Sequence, residues 1–187
     1  MANYKSSLHK DIDDVFKSGG YLSRHFNGYS PRPPQIQMTE TIADAIAITK
    51  YNLSNNEQKM HHAIVEAGTG TGKSFALSIP LAITIARENA ARKPGERQHK
   101  GLIVTATTTL QSQLYKKDLP LVQKVLKDMG LTFKSALYKG KGNYLCTQRF
   151  MKFLNGNMSS SDREEMSKIL PGITDKDNNL DLEKCDK

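Results

Sequence analysis

The segment Ala67-Gly68-Thr69-Gly70-Thr71-Gly72-Lys73-Ser74 alternates glycine with small residues and closes on a lysine and a hydroxyl. Gly68, Gly70 and Gly72 let the backbone take conformations that other residues avoid, so several N–H groups can turn towards one anion. A helix opening at Lys73 adds the positive end of its dipole at the same point. In that arrangement Lys73 reaches the β- and γ-phosphates of a nucleotide, and the Ser74 hydroxyl ligates Mg²⁺. The segment therefore predicts a site for ATP and Mg²⁺ lined by Ala67, Gly68, Thr69, Gly70, Thr71, Gly72, Lys73 and Ser74. Lys73 and Ser74 are its chemically active members. It departs from the common pattern G-x-x-x-x-G-K-[ST] only at Ala67, which stands where a glycine is usual.

The flanks carry the pattern outward. Ala63-Ile64-Val65-Glu66 reads as a short apolar strand feeding the glycines. Residues 73 to about 89 are apolar around much of their circumference, as a helix buried against a sheet would be, with Pro80 expected to bend or break it. Gly101-Leu102-Ile103-Val104-Thr105 reads as a second buried strand and Phe133 to Tyr138 as a third. Between them the pattern predicts a helix from Thr109 to Tyr115. A second helix follows, with Asp118 as N-cap, Pro120 in its first turn and Gly130 just past its end. Strands alternating with helices imply an α/β fold built on a parallel sheet. Upstream, residues 4–17 have helical spacing (Leu8, Ile12, Val15, Phe16), and a further helix is expected from Gln35 to Thr49 once Pro31, Pro33 and Pro34 are passed. Beyond Leu154, Ser161-Asp162-Arg163-Glu164 fits a capping box, and Pro171-Gly172 should stop the helix it opens. The acidic, polar remainder is expected to be poorly ordered.

The formal charge of +8 is unevenly spread. Residues 1–154 hold 22 Lys and Arg against 11 Asp and Glu, a balance of +11, whereas residues 155–187 carry −3. A +11 body suits a polyanionic partner, because each neutralised phosphate releases counterions; a solvated basic surface would look the same by charge alone. No stretch is long and apolar enough to cross a bilayer, and the polar N-terminus lacks the apolar core of a secretory signal. With only Cys146 and Cys185 a disulfide framework is not expected, and a reducing cytoplasm is the default setting.

Four segments, in order, resemble the DinG-type branch of the XPD-like superfamily 2 helicases. Tyr29 to Met38 is similar to their Q motif, Glu66 to Ser74 matches their motif I, Thr105 to Leu114 resembles motif Ia, and Lys139 to Cys146 looks like the lead-in to their first iron–sulfur ligand. Alanine at position 67 fits this family. The resemblance covers roughly residues 20–150 and implies an ATP-dependent DNA helicase moving 5′→3′, of which this chain would be the N-terminal ATP-binding part. It implies a RecA-like lobe, incomplete here, over 29–145. A helical lead-in (1–28) would precede it, and the start of an iron–sulfur insertion (146–187) would follow. It also implies adenine contact by Gln35, whose amide can both donate and accept, and a nucleotide clamp by Arg32. Single-stranded or forked DNA would be held through Thr107, Thr108, Gln111 and Gln113, with a role in DNA repair. For Gln35 and Arg32 a plain surface role is the alternative, and for the motif Ia residues it is ordinary helix capping.

The cysteines leave two readings open. A [4Fe–4S] cluster takes four thiolates and this chain offers two, so Cys146 and Cys185 would be part of a ligand set at most. Otherwise Cys146 is a small buried hydrophobe. His61 and His62 have no acid or thiol spaced for zinc and read as exposed loop residues. A segment with this motif set but no Asp-Glu box or second lobe is expected to bind Mg·ATP weakly, to turn it over hardly at all, and not to unwind DNA. Two rivals remain: an ATPase that translocates without unwinding, and a nucleotide- or DNA-binding module without turnover.

Overall fold

In the computed structural model, residues 2–156 and 158–174 are described, with side chains accounted for over most of 7–171. Among them the regular elements are all helical. They are α1 (Ala2–Phe16), a 3₁₀ turn (Leu22–Arg24), α2 (Pro33–Ser54), α3 (Lys73–Ala91), α4 (Thr108–Gln113), a π turn (Leu114–Asp118), α5 (Leu119–Asp128), a 3₁₀ turn (Lys141–Asn143), α6 (Thr147–Leu154) and α7 (Ser160–Thr174). The chain divides into two compact units, residues 1–136 and 137–187.

The expected α/β fold with a parallel sheet is not what forms. The three segments proposed as strands contain no strand, and no ladder of backbone hydrogen bonds joins them among the described residues. Several of their apolar side chains lie in solvent, with Ile64 99% exposed, Leu102 83% and Val104 80%, while Val65, Ile103, Phe133 and Leu137 are half-buried. A strand's N–H and C=O groups are satisfied only by a neighbouring strand, so an apolar run does not by itself make one.

The core of the first unit is helix on helix. Leu8, Ile12, Val15 and Phe16 from α1, Ala43 from α2, Ile79, Ala82, Ile83 and Ala86 from α3, and Val122, Val125 and Leu126 from α5 form one buried cluster with Leu22. The α1 positions recur at the helical period, so one stripe faces the others. Helix α3 lies at the centre and is continuous through Pro80, which is buried within it; the expected break does not occur. Thr84 Oγ1 donates to the Pro80 carbonyl at 2.8 Å. The α4–π–α5 stretch runs without the expected interruption: Asp118 has helical backbone angles and makes no capping bond. Gly130 does end it, in the left-handed region at φ +74°, with Leu131 N donating to Leu126 O at 2.8 Å.

Polar clasps hold α1 and α2 against α3. Arg87 donates to Ser7 Oγ at 2.8 Å and lies 2.6 Å from Asp11 Oδ2, and Lys50 pairs with Glu88. Burial pushes the Asp11 carboxyl above its ordinary value of 3.8, and Arg87 offsets only part of that rise. Just above pH 3.8 the folded chain therefore keeps a proton that the unfolded chain has released. Stability from this group is fullest below that pH and falls as pH rises through the folded-state value. Urea denaturation from about pH 3 to about pH 6 should show this decline, and Asp11→Asn should remove it. An unchanged difference between the two proteins across that range would rule the assignment out.

In the second unit, Ser159 and Asp162 cap α7 reciprocally: Asp162 N donates to Ser159 Oγ at 3.1 Å, and Ser159 N to Asp162 Oδ2 at 3.2 Å. The box begins two residues earlier than the sequence suggested, and the helix continues past Pro171 to Thr174. Cys185 and the rest of the C-terminal remainder lie outside the described residues. No helix among the described residues is long and apolar enough to cross a membrane.

Candidate nucleotide-binding site

Gly72 begins the site. It is the N-cap of α3 at φ +85°, and no side chain caps the helix, so the first-turn amides of Lys73 and Ser74 face outward from the helix end. Gly72 O accepts the first helical bonds, from Phe75 N and Ala76 N, both at 3.1 Å. Gly70 is also left-handed, at φ +77°. A Cβ at Gly68 or Gly70 would meet nothing within 4 Å, so the loop stands in open space on that side. Left-handed glycines, an uncapped helix end and a lysine form the donor set that holds a phosphate chain. In chemical type the donors fit a nucleotide's phosphates, and Ser74 has the hydroxyl a magnesium ion takes.

Lys73 is exposed, and its Nζ donates to Gly68 O at 2.6 Å and Ala67 O at 2.9 Å. Thr71 Oγ1 donates to Gly68 O at 2.9 Å, which tightens the loop on itself. Two residues from the start of α2 reach across to it. Arg32 Nη1 donates to Gly70 O, and Gln35 Nε2 to Gly72 O at 3.0 Å. The fold thus brings Arg32 and Gln35 together with residues 67–74. It does so through loop carbonyls, which no reading of residue types could anticipate. Gln35 is 3% exposed, so a surface glutamine it is not.

The motif Ia residues run from the N-cap of α4, Thr107, to its last residue, Gln113. Thr107 Oγ1 accepts from Leu110 N at 3.2 Å, an ordinary N-cap. Thr107, Thr108 and Gln113 are exposed, and Gln111 is half-buried. Thr107→Ala should speed amide exchange at Leu110 about 5-fold, from a cap worth about 1 kcal/mol, while Thr107→Ser should not. Equal exchange in all three proteins would deny Thr107 the capping role.

Within the second unit, Tyr144 OH accepts from Lys139 N at 3.1 Å and folds 139–144 into a closed loop. Cys146 follows as the N-cap of α6, exposed and free, which overturns the buried-hydrophobe reading. It is the one cysteine among the described residues. No group of three or more His, Cys, Asp or Glu that could hold a metal ion occurs there. These residues do not by themselves fit an iron–sulfur cluster, which takes four thiolates. His61 and His62 are both exposed.

No protein-family model matches the chain, and no solved structure does. Curated relatives do. The chain is 38% identical over 138 residues to the ATP-dependent DNA helicase YoaA of Escherichia coli strain K12, a match covering 74% of this chain and 18% of that protein. It is 35% identical over 138 residues to the ATP-dependent DNA helicase YoaA of Haemophilus influenzae, covering 74% and 17%. Against the ATP-dependent DNA helicase DinG of Escherichia coli strain K12 the figures are 32% over 161 residues, 79% and 19%. The chain spans less than a fifth of the length of these relatives.

Proposed function

We propose that this chain is the N-terminal, ATP-holding portion of a protein of the DinG-type ATP-dependent DNA helicases, on the strength of its similarity to part of their length. The observation that carries the proposal is the loop itself: left-handed Gly70 and Gly72 opening an uncapped helix whose first residues are Lys73 and Ser74.

In this reading the amides from Gly68 to Ser74 hold the phosphates. Lys73 Nζ exchanges the carbonyls of Ala67 and Gly68 for phosphate oxygens, and Ser74 is the magnesium ligand. Arg32 lies at the rim, with its guanidinium on Gly70 O and able to move to a nucleotide. Exposed Thr107, Thr108 and Gln113, with Gln111 beside them, supply hydroxyl and amide groups for a single-strand phosphate backbone, on a body of net positive charge. In the whole protein, hydrolysis of ATP to ADP and phosphate, with water accepting the phosphoryl group, would drive 5′→3′ movement along single-stranded or forked DNA and its unwinding in the cytoplasm. The further cysteines of a cluster would have to join Cys146. The portion seen here would supply the Mg·ATP contacts of that protein.

Titration calorimetry of Mg·ATP into the purified chain tests the proposal: saturable binding is expected. A well-folded sample that takes up no heat at millimolar nucleotide would remove the basis for it.

A further inference from the structure

Beyond the last residue of α3 the chain makes a pinned loop with almost nothing apolar in it. Residues 92–100 hold Arg92, Lys93, Arg97 and Lys100 against Glu96, a balance of +3. Asn89 clasps the far end of the loop with both edges of its amide: its Nδ2 donates to His99 O at 3.0 Å, and its Oδ1 accepts from His99 N at 2.9 Å. Inside, Glu96 N donates to Lys93 O at 3.2 Å across a tight turn, with Pro94 at its second position and Gly95, at φ +88°, at its third. Glu96 is engaged within the loop, its carboxylate accepting from Lys93 N at 2.9 Å and its carbonyl from Arg92 Nη1. Glu88, one turn back along α3, pairs with Lys50. That leaves Lys93, Arg97 and Lys100 exposed, with no carboxylate partner for their side chains among the described residues.

Three cations on a fixed loop can meet a polyanion without the ordering cost that a free tail incurs. The loop has no Phe, Tyr or Trp, so it lacks the aromatic platform on which single-strand sites stack unpaired bases. A surface of cations alone favours the polymer of highest charge density, and a DNA duplex carries one phosphate charge per about 1.7 Å of its axis. The 19 residues of α3, at about 1.5 Å each, set this loop about 27 Å from Lys73. We propose that Lys93, Arg97 and Lys100 form a second nucleic-acid contact, a sequence-independent seat for the phosphate backbone of double-stranded DNA that belongs to neither the glycine loop nor α4. This rests on the DNA reading given above and adds to it a place for the duplex.

Fluorescence anisotropy with a labelled duplex, and with a labelled single strand of the same length, tests this over a range of salt concentrations. The 187-residue chain is compared with two triple variants of equal net charge. One carries Lys93→Gln, Arg97→Gln and Lys100→Gln; the other carries Lys124→Gln, Lys127→Gln and Lys134→Gln at positions that are also exposed. The loop variant should bind duplex about 10-fold or more weakly, and its slope of log affinity against log salt should fall by about 2.7, at about 0.9 per phosphate contact. Its hold on the single strand should barely change, and the charge-keeping set Lys93→Arg, Arg97→Lys and Lys100→Arg should bind duplex as the unaltered chain does. If the triple variant fails to fold, Arg97→Gln alone should lower the slope by about 0.9. Unchanged duplex binding would overturn the proposal, as would an equal loss in the second variant or on the single strand. Poly-glutamate displacing the duplex as well as unlabelled duplex does would also overturn it, in favour of an acidic protein partner. An unaltered chain that holds single strands but no duplex would defeat this proposal alone; one that holds neither would take the DNA reading with it.

Discussion

Lys73→Ala lowers the affinity for Mg·ATP by roughly 10–100-fold and leaves the fold intact. The magnitude follows from removing a charged donor to phosphate, about 1.5–3 kcal/mol, at 1.4 kcal/mol per tenfold. The fold is spared because Lys73 is exposed and its two bonds go to the carbonyls of Ala67 and Gly68, acceptors that solvent can serve instead. DNA affinity should stay nearly unchanged, because Thr107, Thr108 and Gln113 lie on a separate element. Calorimetry on both proteins beside a fluorescent single-strand binding assay checks both halves. Equal Mg·ATP affinity in the two proteins would mean that the nucleotide sits elsewhere.

The largest effect on stability is expected from Phe16→Ala, at about 3–5 kcal/mol. Phe16 is fully buried at the end of α1, in the cluster that includes Ile79 and Ile83 of α3. Its truncation leaves a cavity beside the helix that carries Lys73. Tyr29 OH donates to the Phe16 carbonyl at 2.9 Å, a bond that survives the change and limits how far the neighbourhood can collapse. Against a total of about 5–15 kcal/mol for an ordinary domain, the loss brings the first unit close to unfolding. Urea denaturation followed by circular dichroism measures it. A cost under about 1 kcal/mol would show that α1 is a detachable lead-in rather than part of the core.

Local chemistry was legible where one short segment sets it. The helix beginning at Lys73 follows from a glycine N-cap, and the end of α5 follows from Gly130 in the left-handed region. The stripe Leu8, Ile12, Val15, Phe16 gave α1 correctly, but spacing says only that a helix has an apolar face, not that α2 and α3 cover it. Strands were misread for a related reason. Residues 63–66, 101–105 and 133–138 are apolar enough for strands, yet pairing is a property of two segments and periodicity describes one. Asp118 reads as a cap because aspartate often is one; here it is the last residue of the π turn, which carries the helix through. Motif order alone suggested Arg32 and Gln35, and both contact the glycine loop. Where the Gln35 amide points depends on a backbone 37 residues away, and no local pattern encodes that.

The most direct test of the nucleotide site is an amide NMR titration of the chain with Mg·ATP. Resonances of Gly68, Gly70, Gly72, Lys73 and Ser74 should move together and saturate, with Phe75 following as the first turn of α3 tightens. Saturating shifts confined to other segments, or none at all in a folded sample, would contradict the claim that this glycine loop grips a nucleotide's phosphates.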